Sequence, residues 1–264
     1  MKRYMQLSIS EEKLADLKKW FTNYVHTFQY SEPEKQQNID LKEDHTLRVC
    51  KEISNIGKQL GLKDDQLRLA EMIALLHDIG RFEQYALYHT FKDRSSENHA
   101  ELGISIIEKF GLLESLDNNT TKNIIRCAIK YHNRHSLPLE ESETCLFYSK
   151  LIRDADKLDI WKVVIDHYYS KEENKNGTVE LELPDTPGFS EEVYNDLLNK
   201  NIVNMKYLRN LNDFKLFQAG WVFDINFQPT LDSIKKRRYI ELIRDVLPES
   251  QKIDKVFDVI HDSF

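Results

Sequence analysis

Apolar residues recur every three to four positions along most of this chain, and helix breakers are scarce, with 8 Gly and 6 Pro among 264 residues. Such spacing lays one apolar stripe along each predicted helix, which constrains the chain to an all-α fold. Leu14, Leu17, Phe21, Val25 and Phe28 form the first stripe, behind a capping signature of Ser8 and Glu11. The polar segment from Gln29 to Asn38, with Pro33 inside it, reads as a loop. Asp40 then caps a helix that carries His45, Val49, Ile53, Ile56 and Leu60 on one face and ends at Gly61. Asp64 or Asp65 opens a third helix, with Leu69, Ile73 and His77 aligned and Gly80 near its end. Ser95 or Ser96 caps a fourth that carries His99, Leu102, Ile106 and Phe110. Asn119 or Thr120 opens a fifth with Ile125, Ala128 and His132.

A longer helix is predicted from about Ser142 to Ser170, apolar on more than one face and so central to the bundle. The composition breaks from Lys171 to Ser190, through Asn174, Lys175, Asn176, Gly177, Pro184 and Pro187. Val179, Leu181 and Leu183 alternate with acids there, which permits a short strand. Helices resume at Glu191, Trp221 to Phe227 reads as extended or irregular, and a last pair covers about Leu231–Val246 and Glu249–His261. We therefore expect a core over residues 1–170 and a helical extension over 171–264 that packs on it, with one continuous domain as the alternative.

The net charge of −7 excludes a broad nucleic-acid surface, which requires clustered positive charge. The run Lys235-Lys236-Arg237-Arg238 is read as a solvated helix face. No stretch approaches the roughly 20 apolar residues of a membrane span. The N-terminal residues lack the apolar core of a signal peptide, and Cys50, Cys127 and Cys145 are scattered and odd in number. A cytoplasmic protein with reduced cysteines is expected.

His77-Asp78 ends the apolar run Met72-Ile73-Ala74-Leu75-Leu76. A charged pair there is costly to bury without a compensating partner, and a divalent metal ion is one. His45, His77, His99 and His132 each sit on the apolar stripe of a separate helix. A single histidine so placed is usually a hydrogen-bonded core residue. Four of them beside a carboxylate are the donor set of a divalent metal. Asp156 is a further candidate ligand, with Asp154 and Asp159 close by in Arg153-Asp154-Ala155-Asp156-Lys157-Leu158-Asp159. Periodicity does not choose among these three. A carboxylate such as Asp78 can bridge two ions, and a two-metal site activates water and clamps a transferring phosphoryl group.

The order His45, His77-Asp78, Ala155-Asp156-Lys157 resembles the HD-domain superfamily of metal-dependent phosphohydrolases. The likeness spans about Leu41 to Asp166. The HD dipeptide alone has little specificity; the ordered, helically spaced set has much more. The resemblance implies an HD-type helical bundle with a helical C-terminal extension. It implies that His45, His77, Asp78 and Asp156 bind one ion, while His99, His132 and a bridging Asp78 hold a second, the metals being Mn, Fe, Ni, Co or Mg. It favours Asp156 as the last ligand, with Asp154 orienting a ligand or pairing with an arginine, and it leaves Asp159 on the helix surface or in a salt bridge.

A phosphohydrolase also needs cations for phosphate oxygens, and Arg81, Arg94 and Lys157 are the candidates, with Arg134 a further one. Asp78 and Arg81 are the expected catalytic residues, and Gly80 is expected to let the backbone turn between them. The segment from Phe82 to Arg94, with Tyr85, Tyr88, His89 and Phe91, reads as an aromatic loop that either walls a pocket or covers the bundle end. His135 reads as a surface residue or a general acid, and His26, His167 and His261 as structural. The expected activity is hydrolysis of a phosphomonoester or phosphodiester, nucleotides included, by metal-activated water. The alternatives are a di-iron oxygenase on the same ligands and a catalytically silent regulatory module. The expected partner is a small phosphorylated substrate rather than a nucleic-acid polymer or a membrane, with a homodimer admitted by the aromatic-rich C-terminal residues.

Overall fold

A computed structural model describes residues 9–171 and 176–263. Among them every regular element is helical, as the periodicity requires, and the chain divides into two compact units, 1–156 and 157–264. The first contains α1 (Glu11–Val25), α2 (Pro33–Gln59), α3 (Asp64–Leu76), α4 (Gly80–Tyr88), α5 (His99–Lys109), α6 (Asn119–Tyr131) and the first half of α7 (Glu143–Tyr168). The second contains the rest of α7, then α8 (Glu191–Leu198), α9 (Leu211–Ala219), α10 (Gln228–Arg237), α11 (Tyr239–Asp245) and α12 (Gln251–His261).

In the first unit α2 and α3 share the most extensive contact. Val49, Ile53 and Ile56 of α2 and Leu69, Ile73 and Leu76 of α3 are almost wholly buried. Burial of each such side chain contributes roughly 1.5–3 kcal/mol. No helix among the described residues is long and apolar enough to cross a membrane.

Several boundaries differ from the sequence reading, each for a local reason. Ser8 lies outside the described residues; Ser10 caps α1, its Oγ accepting from the Lys13 N–H at 3.2 Å. Pro33 does not mark a loop but begins α2, because the first helical position needs no N–H and suits its fixed φ. α5 is capped by Asn98 rather than by Ser95 or Ser96, while α6 opens at Asn119 as expected, behind its cap Asn118. The third predicted helix does not run on to Gly80: it ends at Leu76, and residues 77–79 turn. The aromatic loop expected after it is mostly helix α4, with Phe82 and Tyr85 buried.

No strand forms at Val179–Leu183; residues 177–182 are turns, with Leu181 and Glu182 both at φ 54°. Such left-handed backbone cannot continue a strand. Residues Gly220–Asp224 form a 3₁₀ turn, not an extended segment. The helix expected over Leu231–Val246 breaks at Arg238, φ 56°, into α10 and α11. Asp159, expected on the helix surface or in a salt bridge, is buried.

Candidate metal centre

Three histidines are delivered by helix ends, where backbone groups lack helical partners. His77 follows the last residue of α3 and His132 the last of α6. Each Nδ1 lies 2.6 Å from the carbonyl three residues back, Ala74 and Ile129 respectively. A carbonyl only accepts, so each Nδ1 carries a proton, and Nε2 is the ring atom left to face inward. Arg153 donates to the carbonyls of Tyr131, His132 and Arg134, placing a cation at the end of α6. His99 opens α5 behind its cap Asn98. Its Nδ1–H donates to Asp93, 2.8 Å from Oδ2, which fixes the same tautomer. His45 and Asp156 come from the interiors of α2 and α7.

Asp78 lies in the turn between α3 and α4, and Gly80 explains its position. A Cβ on Gly80 would stand 2.2 Å from the His99 carbonyl oxygen and 2.7 Å from the Gly103 nitrogen. The missing side chain, rather than a positive φ, lets the start of α4 touch the start of α5. Asp78 is thereby brought beside His99.

The six groups converge as two trios, His45 with His77 and Asp156, and Asp78 with His99 and His132. In the first, His45 Nε2 lies 3.1 Å and His77 Nε2 3.8 Å from Asp156 Oδ1. In the second, His99 Nε2 and His132 Nε2 lie 3.3 and 3.6 Å from Asp78 Oδ1. Asp78 joins them: its Oδ2 is 3.7 Å from His45 Nε2 and 3.9 Å from His77 Nε2. Five of the six are buried, and Asp156, half-buried, opens the site to solvent.

This arrangement fits a divalent cation and fits poorly without one. His77 Nε2 is buried and makes no hydrogen bond. His99 Nε2 and His132 Nε2 stand 3.0 Å apart. With both Nδ1 atoms hydrogen-bonded elsewhere, these two Nε2 atoms are placed to share one divalent ion. Burial, reinforced by Arg81 and only partly offset by Asp93 and Asp78, pushes the His99 ring down to about 3, so it is neutral and ready to ligate. Burial alone would raise the Asp78 carboxyl; Lys42, His77 and Arg81 overcome it and hold it well below the usual carboxylate range. Asp156 is likewise held low against its burial, by His45 and His77.

The other expected residues fall in different places. Arg81 Nη1 donates to the Phe91 carbonyl at 2.6 Å, to Gln84 Oε1 at 2.9 Å and to Asp93 Oδ1 at 3.0 Å, with its Nε 3.5 Å from Asp78 Oδ1. Arg94 is exposed on a 3₁₀ turn. Lys157 Nζ pairs with Asp224 Oδ2 at 2.7 Å. Arg134 is exposed, its guanidinium over the Tyr131 ring, and His135 is exposed too. Asp154 is buried and belongs to neither trio.

Two participants escaped the sequence reading. Lys42 Nζ reaches Asp78 Oδ2 at 2.9 Å, and Asp93 holds His99 while accepting from Arg81, Gln84 and Asn133. Lys42 precedes His45 by one helical turn, a spacing that put it on the site's face. Asp93 carried no signal, since only the tertiary fold returns it to His99.

Residues 43–161 match the family model of the HD domain, so the chain carries an HD domain over that stretch. No curated protein and no solved structure matches the chain. Both trios lie within the matched residues.

Proposed function

We propose that the protein is a metal-dependent phosphohydrolase that cleaves a phosphomonoester or phosphodiester of a small substrate, nucleotides included. The observation that carries this reading is the position of Asp78, whose two oxygens face different histidine groups. His45, His77, Asp156 and Asp78 would hold one divalent ion, and His99, His132 and Asp78 the other. Ions held there supply Lewis acidity to the phosphoryl oxygens and to the attacking water. Asp93 keeps the His99 lone pair aimed inward, and Arg81 keeps Asp93 in place. Lys42, with its ammonium at the site and Phe91 5.4 Å away, is the cation for a non-bridging phosphate oxygen. In this reading Arg81 works mainly by positioning, because its guanidinium is committed to Asp93, Gln84 and the Phe91 carbonyl.

The test is phosphate release from a panel of phosphomonoesters and phosphodiesters, measured with metal content for the wild type and Asp78→Ala. Metal and turnover should disappear together in the variant. Turnover retained without metal would overturn the proposal. Lys42→Met should raise KM for the phosphorylated substrate while metal content is unchanged. Oxygen consumption with a mixed-valent iron signal, in place of phosphate release, would assign the same ligands to oxygenase chemistry.

A further inference from the structure

We propose a separate thiolate metal site at the junction of α6 and α7, formed by Cys127, Cys145 and Glu141 and selective for a borderline-to-soft divalent ion, zinc above all. One ligand atom from each residue lies within 4.8 Å of the other two. That spacing suits ligands gathered around one tetrahedral ion, where Zn–S bonds are ~2.3 Å and Zn–O bonds ~2.0–2.2 Å. Cys127 comes from α6, Glu141 from the segment before α7, and Cys145 from the first turn of α7.

The surroundings prepare each donor. The Tyr131 hydroxyl donates to Glu141 Oε1 at 2.6 Å and fixes the carboxylate. The Asn123 amide donates to Cys145 Sγ at 3.8 Å, and the Cys145 N–H donates to Ser142 Oγ at 3.2 Å. Cys145 thus sits in the first turn of α7. Both cysteines are buried, while Glu141 is half-buried and leaves an entry path for an ion. Burial, with the neighbouring Cys145, pushes the Cys127 thiol up to about 12, so its sulfur keeps a proton until an ion displaces it. As each metal–sulfur bond forms, the thiol proton passes to solvent.

This donor set differs in kind from the His/Asp centre. Nitrogen and carboxylate donors take Mn or Mg as well as zinc, whereas two thiolates select softer ions. The site ties the start of α7 to α6, and α7 also carries Asp156. Its occupation is therefore expected to stabilise the fold without entering the reaction.

Cd(II) titration followed by ultraviolet absorption tests the site, because thiolate-to-cadmium charge transfer reports sulfur ligation and the His/Asp centre cannot produce it. The metal-free wild type should show this absorption saturating at one equivalent, and Zn(II) should bleach it by displacement. Asp78→Ala and Cys50→Ser should retain the absorption, Cys127→Ser and Cys145→Ser should lose most of it, and Glu141→Gln should weaken binding about 10–100-fold. Absence of the band in the wild type overturns the proposal without recourse to any variant. So does a band that survives in Cys127→Ser/Cys145→Ser or disappears in Cys50→Ser.

Discussion

Two buried carboxylates, Asp78 in the first unit and Asp213 in the second, are surrounded in opposite ways. Asp213 is wholly buried and meets donors: the Ser190 N–H at 2.6 Å, the Ser190 hydroxyl at 2.7 Å and the Arg209 N–H at 2.9 Å. Its own N–H donates to Asn210 Oδ1 at 2.9 Å. That carboxylate is complete within the protein and pins the start of α9 to the residue before α8. Asp78 meets Lys42 and four imidazole Nε2 atoms, three of them on rings whose Nδ1 is hydrogen-bonded elsewhere. Four imidazole nitrogens gathered around a carboxylate are a donor set for a divalent cation. Burial therefore does not distinguish a structural carboxylate from a ligand; the donors and acceptors around it do.

Four substitutions probe that difference, ordered by their effect on metal affinity. Asp78→Ala removes the group shared by both trios and should abolish metal retention and turnover, read by elemental analysis and phosphate release. Asp93→Asn keeps the volume but loses the charge that holds the His99 proton, so affinity or activity should fall about 10–100-fold in a metal titration. Gly80→Ala forces a Cβ into the backbone of α5 at His99. Its destabilisation should be about 1–3 kcal/mol by denaturant melt, with a modest loss of affinity as α5 shifts. Asp213→Asn should cost about 1–3 kcal/mol of stability through its unsatisfied donors, yet leave metal content unchanged. If Asp213→Asn depleted the metal as well, the distinction between the two carboxylates would fail.

Much of the candidate site's clustering was legible in the sequence because its histidines lie on periodic elements. His45, His77, His99 and His132 each interrupt an apolar stripe, and the fold brings all four together. Three neighbouring acids left the choice on α7 open; three-dimensional proximity puts Asp156 beside His45. What sequence could not supply was nonlocal. Gly80 reads as a helix terminator, but its role is set by His99, nineteen positions away, whose carbonyl leaves no room for a Cβ. The segment after it reads as loop because α4 has only 9 residues, too few for periodicity to declare itself. The tertiary contacts of Lys42 and Asp93 alone set them apart from ordinary surface charges.

The most direct test of a shared Asp78 is electron paramagnetic resonance of the Mn(II)-loaded protein. Manganese suits the His/Asp donors and is a poor match for thiolates, so the signal isolates this centre. An exchange-coupled pair in the wild type, lost in Asp78→Ala, is the expected result, because two-metal sites hold their ions about 3.5–4 Å apart. A single uncoupled Mn(II) in the wild type, or coupling that persists in the variant, would contradict it.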